Sequence, residues 1–136
     1  MEDRIHLQVL TTTHTVYDGD ATYVHLPLEG GTVGILRNHA PLLGVVAEGV
    51  VTYRNDDKEH YIAVAHGVAH VSDNTVVVLV DAAERAENID LARAVAAERR
   101  ARTWLKSHAP EVDTVRAEAA LHRALARQAA VRLMKK

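Results

Sequence analysis

The stretch AERAENIDLARAVAAERRARTWL, Ala83–Leu105, is where this chain changes its period. From Leu91 to about Ser107 there is no glycine, no proline and much alanine, the composition of a helix. Asp90 stands where an N-cap belongs, with Glu84 and Glu87 ahead of it. Pro110 breaks the run, and Asp113 then caps a second helical stretch, VRAEAALHRALARQAAVRL. So short a connection predicts an antiparallel helical hairpin. Its shared face would be alanine: Ala94, Ala97, Ala101, Ala117, Ala120 and Ala124. Alanine lets two backbones approach closely but buries little area, and at ~25 cal/mol per Å2 such a seam is weak. The hairpin is expected to be marginal alone, which suits an element that opens and closes.

Upstream of this stretch the period is that of strands. In IHLQVL, Ile5, Leu7 and Val9 alternate with polar partners. VHLPL repeats the pattern with Val24, Leu26 and Leu28, and Pro27 predicts an edge strand or a bulge. VVTY, the turn signal NDDK, the run HYIAVAHGVAHV, the turn SDN and TVVVLV follow. The last run is apolar without alternation, so it is expected to be covered on both faces. Short strands at regular spacing favour a sandwich or a barrel. No helix-length segment interrupts the first 80 residues, which argues against an open parallel sheet.

Composition narrows the chemistry. At 136 residues the chain fits one ordinary domain, or one core with a small appendage. Hydrophobic residues make up 48%, yet aromatics are 4% and phenylalanine is absent, so Val, Leu, Ile and Ala must build the core. With no cysteine there is no disulfide framework, thiolate metal site or cysteine nucleophile. The acidic, alternating N-terminus lacks a signal-peptide pattern, and no apolar run approaches the ~20 residues that span a bilayer. Membrane association is expected only through a partner.

The net charge of −2 conceals a split. Residues 1–80 carry 4 Lys and Arg against 10 Asp and Glu; residues 81–136 carry 12 against 8. A basic C-terminal part would face an acidic protein surface, a phosphate ligand or nucleic acid. Nucleic acid fits worst, because no aromatic interleaving accompanies the arginines and Trp104 stands alone.

Among nine histidines, His66 and His70 in HGVAH form the best metal-ligand pair. On a strand they would lie ~13 Å apart, too far to share one ion, and no carboxylate completes a site. No Gly-x-Ser-x-Gly, phosphate-binding loop or convergent carboxylate pair appears, so a chain with its own active site is disfavoured. In GTVGILRNHAPLLG, Gly34 allows a tight backbone approach and Pro41 holds Ala40 extended. These features present His39 on an ordered loop, and the plainer reading is a satisfied structural histidine.

The combined motifs EGGTVGILRNHAPLL, IAVAHGVAHV and VVVLVDAAERAENIDLARA resemble those of the epsilon subunit family of bacterial F-type ATP synthases, in order along essentially the whole chain. The resemblance implies a β + α architecture. A roughly ten-stranded N-terminal β-sandwich (residues 1–86) is followed by a regulatory two-helix hairpin (residues 87–136). It also implies a non-catalytic rotor-stalk subunit on the cytoplasmic side of the membrane, attached through its complex. The sandwich would bind the gamma subunit and the c-ring. Glu29, Gly30 and Gly31 resemble the ring-facing loop and His39 lies in the gamma-facing one. The hairpin would have two arrangements: folded onto the sandwich, or extended into the alpha/beta catalytic head, where it obstructs ATP hydrolysis.

Some members of the family bind ATP in the folded hairpin through an Ile-Asp-x-x-Arg-Ala motif. Ile89, Asp90, Arg93 and Ala94 match it, Glu84 matches its upstream acid, and Arg100, Arg123 and Arg127 match the further arginines. Arg93 and Arg100 are seven residues apart on one helix face, ~10 Å along the axis, and Arg123 and Arg127 are i, i+4 neighbours. A turn near Pro110 would set Arg127 opposite Arg93 and Arg123 level with Arg100. Four converging cations would suit a triphosphate. The plainer alternative is a solvated face in which Glu98 and Glu118 pair with Arg100 and Arg123. A stand-alone ATP-sensing module of the same fold is the competing function; co-purification with the synthase head separates the two.

Overall fold

The computed structural model describes residues 3–107 and 113–136; the expected helix break at Pro110 lies outside them. Ten strands come first: β1 (Ile5–Leu10), β2 (Thr15–Ala21), β3 (Tyr23–Leu28), β4 (Gly31–Ile35), β5 (Leu42–Val46), β6 (Gly49–Asn55), β7 (Lys58–Val64), β8 (Gly67–Ser72), β9 (Thr75–Val80) and β10 (Ala83–Arg85). A 3-10 turn, Ala86–Asn88, leads to α1 (Leu91–Ser107) and α2 (Thr114–Met134).

The strands form one sheet in the order β10-β7-β6-β3-β5-β8-β9-β1-β2, with β4 paired to β3. The pairing is antiparallel except between β1 and β9. The sheet curls on itself until β2 lies against β6 and β10. There the rings of Tyr17 and Tyr53 stand 4.3 Å apart, and the Asn55 amide donates to the Tyr17 hydroxyl at 3.1 Å. Alternation on the inner faces fills the sandwich core, with Leu7, Leu26, Ile35, Val51 and Ile62 almost wholly buried.

Three strand expectations need correction. Pro27 is not on an edge: β3 pairs with β4 along its length and has β6 and then β5 on its other side. The Pro27 carbonyl accepts from the Ala47 amide at 2.8 Å, so its missing N–H faces the same gap, where β3 passes from β6 to β5. A missing donor is tolerated at such a changeover because no ladder bond is due there. Nor is TVVVLV covered on both faces. Val76, Val78 and Val80 are buried, while Val77 is half-buried and Leu79 exposed. With exposed Leu43, Val45 and Val68 on the neighbouring strands, Leu79 makes an apolar outer face. The period was masked because both faces use the same residue type.

HYIAVAHGVAHV is two strands, with Ala65 and His66 between them. Gly67 makes no bulge there; it pairs regularly with Val80, so close that an added Cβ would sit 2.1 Å from the Leu79 carbonyl oxygen.

The hairpin is folded down. α2 lies between α1 and the β6–β7 region, and α1 packs on α2. Asp113 caps α2 by accepting from the Arg116 amide at 3.1 Å, and Asp90 caps α1 by accepting from the Arg93 amide at the same distance. Ala94, Ala101, Ala117 and Ala124 are buried at the seam, as their spacing suggests, while Ala97 and Ala120 are half-buried and line a groove beside it. α2 carries a second alanine face: Ala126 and Ala130 pack on Ala63 and Ala86, flanked by Val50, Tyr61 and Ile89.

Candidate functional site

The curl of the sheet brings the β1–β2 turn beside the β7–β8 break and the β10 strand, and α2 lies across them. Between α2 and the sandwich is a cleft of about 310 Å3 walled by His14, Glu84, Arg123 and Arg127, with a small apolar floor from Ala63–Ala65 and Ala82–Ala83. That volume is at the lower end of the ~300–1,000 Å3 typical of small-molecule sites. Arg85 holds β10 in place beneath it. Its guanidinium lies 5.8 Å from the Tyr17 ring centre, and burial pushes the neighbouring Tyr53 hydroxyl's pKa up.

Arg123 and Arg127 are half-buried, and neither has an ion pair or hydrogen bond among the described residues; the same holds for Glu84. Glu98 does not pair with Arg100. It accepts from the buried Gln128 amide at 2.8 Å and from Arg102 at 2.6 Å, bonds that hold its carboxyl below the usual range. No ion pair among the described residues involves Glu118 either, so the solvated-pair reading of the arginines loses its partners. Two unneutralised guanidiniums at one cleft favour an anion between them.

The eight motif residues do not form one cavity. Glu84, Arg123 and Arg127 share the cleft. Arg123 also lines a second groove of about 480 Å3, at the turn end of the hairpin, with Arg100 and Trp104. Arg93 is exposed and lines neither of these two cavities. The physical reason is that α2 intervenes between α1 and the sandwich, and Arg127 turns toward the sandwich. Asp90 caps α1, Ala94 is buried at the helix seam, and Ile89 packs beside Ala86. His14 was not legible as a site residue, because it is some 70 positions before Glu84 and only the sheet curl unites them.

The interface candidates lie elsewhere on the sandwich. Glu29 and Gly30 form the tip between β3 and β4, and Gly31 opens β4 at a φ of 131°, a conformation that suits glycine. His66 lies in the β7–β8 break, not within a strand, and its Nε2 is 3.5 Å from Glu29 Oε2. His39 is half-buried on the β4–β5 loop, with Nδ1 2.7 Å from the Ala40 carbonyl oxygen. Asn74 Oδ1 fixes that loop by accepting from the Asn38 amide at 2.6 Å, and Arg37 donates to the Arg4 carbonyl at 2.9 Å. The loop borders the exposed Leu36 and Leu43.

Comparison with known proteins agrees with this architecture. The family model of the ATP synthase delta/epsilon chain β-sandwich domain matches residues 4–86, and that of its long α-helix domain matches residues 87–132. The ATP synthase epsilon chain of Nitratidesulfovibrio vulgaris is 43% identical over 127 residues, covering 93% of this chain and 95% of the relative. That of Symbiobacterium thermophilum is 43% identical over 122 residues, covering 89% and 88%. A chain in the cryo-EM structure of the Euglena gracilis mitochondrial ATP synthase OSCP/F1/c-ring assembly shares the fold, with a TM-score of 0.82 at 22% identity over 94% of this chain and 81% of that one. Sandwich, hairpin and motifs together make this chain a member of the ATP synthase epsilon chain family, a non-catalytic subunit of that enzyme complex.

Proposed function

We propose that this chain is a central-stalk subunit whose hairpin regulates ATP hydrolysis and is held closed by ATP. The observation that carries the nucleotide reading is the pair of half-buried arginines, Arg123 and Arg127, that line a cleft with Glu84 and have no carboxylate ion-paired to either among the described residues. A ligand that binds only the folded hairpin stabilises it by RT ln(1 + [L]/Kd), ~2.7 kcal/mol at 100 Kd. That is enough to bias an alanine-seamed docking.

The sandwich is the static partner in this reading. Its apolar outer face, Leu43, Val45, Val68 and Leu79, continues the His39 loop and suits the gamma subunit. The Glu29–Gly31 tip would meet the c-ring. Extended, the basic helices would meet acidic segments of the alpha/beta head. No helix among the described residues is long and apolar enough to cross a membrane, so attachment to the cytoplasmic face of the membrane would be peripheral, through the complex.

Calorimetric titration with ATP tests the nucleotide reading. Arg123→Ala and Arg127→Ala should weaken binding about tenfold or more, the scale of one charged hydrogen bond, and Arg93→Ala distinctly less. If Arg127→Ala binds as the unmodified chain does, the arginines are a solvated face and the reading is wrong.

A further inference from the structure

The cleft has a wall that the helical motif does not supply. The turn from Thr11 to His14 is tightly tied: the Thr11 amide donates to the His14 carbonyl at 2.9 Å, and the His14 amide donates to Thr11 Oγ1 at 3.2 Å. The imidazole is fixed from one side only. Its Nδ1 lies 2.9 Å from Thr13 Oγ1 and 3.1 Å from Thr11 Oγ1, while Nε2 has no hydrogen bond among the described residues. An imidazole held through one nitrogen presents the other in a defined direction, and because the threonine hydroxyls can donate to Nδ1, Nε2–H is free to donate to a ligand. The same ring lines the cleft with Arg123 and Arg127.

We propose that His14 is a sandwich-side ligand for the anion held by Arg123 and Arg127, so that a polyphosphate group bridges the sandwich directly to α2. This rests on the nucleotide reading of the cleft and extends it. A site confined to the two helices would hold them to each other whether or not they were docked. A site that includes His14 exists only when α2 lies on the sandwich, so its ligand locks the docking itself. The groups facing His14 are Glu84 from β10 and Arg123 and Arg127 from α2, with the Thr11 and Thr13 hydroxyls on its own turn. Glu84 repels an anion, so the seat is on the side of the two guanidiniums and the imidazole. Glu84 is left to accept from a neutral donor of the ligand.

Titration of the whole chain with ATP and, separately, with inorganic tripolyphosphate tests the proposal. His14→Ala should weaken both by about fivefold, the scale of one hydrogen bond from an exposed imidazole. Tripolyphosphate should also shift the His14 imidazole resonances in the unmodified chain, a change that loosening of the threonine turn would not produce. Equal binding by His14→Ala together with unshifted His14 resonances overturns this inference and leaves the nucleotide reading standing. Binding of ATP without any binding of tripolyphosphate also overturns it, since the seat would not be a phosphate seat. Failure of the unmodified chain to bind either probe overturns both.

Discussion

Replacing Ala130 by leucine should undock the second helix and leave the sandwich intact. Ala130 is fully buried where α2 meets the sheet, packed with Ala126 on Ala63 and Ala86. Alanine and leucine differ little in helix propensity, so α2 itself should be unaffected. The added carbons have no space in a seam made of methyl groups, and such overpacking costs about 1–3 kcal/mol. The docked-to-undocked ratio should therefore fall about 5- to 150-fold. Hydrogen exchange read by mass spectrometry separates the parts: α2 peptides should exchange faster by that factor, and β1 and β9 peptides at their ordinary rate. The sandwich core shares no buried side chain with the α2 seam, which is why the two are expected to respond separately. Unchanged exchange in α2 would mean that the seam has room to spare. Equal acceleration in β1 and β9 would mean that helix and sandwich open as one unit.

Gly67→Ala is the corresponding test of the sandwich. Its Cβ would meet the Leu79 oxygen at 2.1 Å and the Val80 Cα at 2.6 Å, backbone atoms that cannot turn aside. A loss of about 1–3 kcal/mol is expected. Each kcal/mol should lower the melting temperature by about 4–8 °C in a domain of this size, and a melt within about 2 °C of the unmodified chain would refute the close-approach argument. The helix contact should also respond to acid. Bonds from Gln128 and Arg102 hold the Glu98 carboxyl below its ordinary range, so their contribution is full above the unfolded pKa and lost as pH falls through the lower folded one. Exchange of α1 and α2 amides should rise below about pH 4, and Glu98→Gln should flatten that rise. A rise of the same size in Glu98→Gln would assign it to another group.

The order of the two parts, strands first and then two helices, was legible in the sequence alone, whereas the number of strands came with the family resemblance. The loss of glycine and proline after Leu91 and the caps at Asp90 and Asp113 depend on neighbours within four residues, which is the range over which helix physics acts. Alternation in Ile5–Leu10 likewise marked its buried side. The apolar outer side of Thr75–Val80 could not be read, because valine and leucine on both faces erase the period-two signal until the neighbouring strands are known. Pro27 misled for a related reason: whether a missing N–H matters depends on which strand lies opposite, and β3 changes partners just there. The composition of the cleft was decided by tertiary structure alone. Helical periodicity could relate Arg123 to Arg127, and hairpin geometry could relate Arg100 to Arg123. The placement of α2 between α1 and the sheet left Arg93 outside, turned Arg127 toward Glu84, and brought in His14 through the curl that carries the β1–β2 turn to β10. Contacts between residues so far apart are fixed by packing of whole elements, and local spacing carries no trace of them.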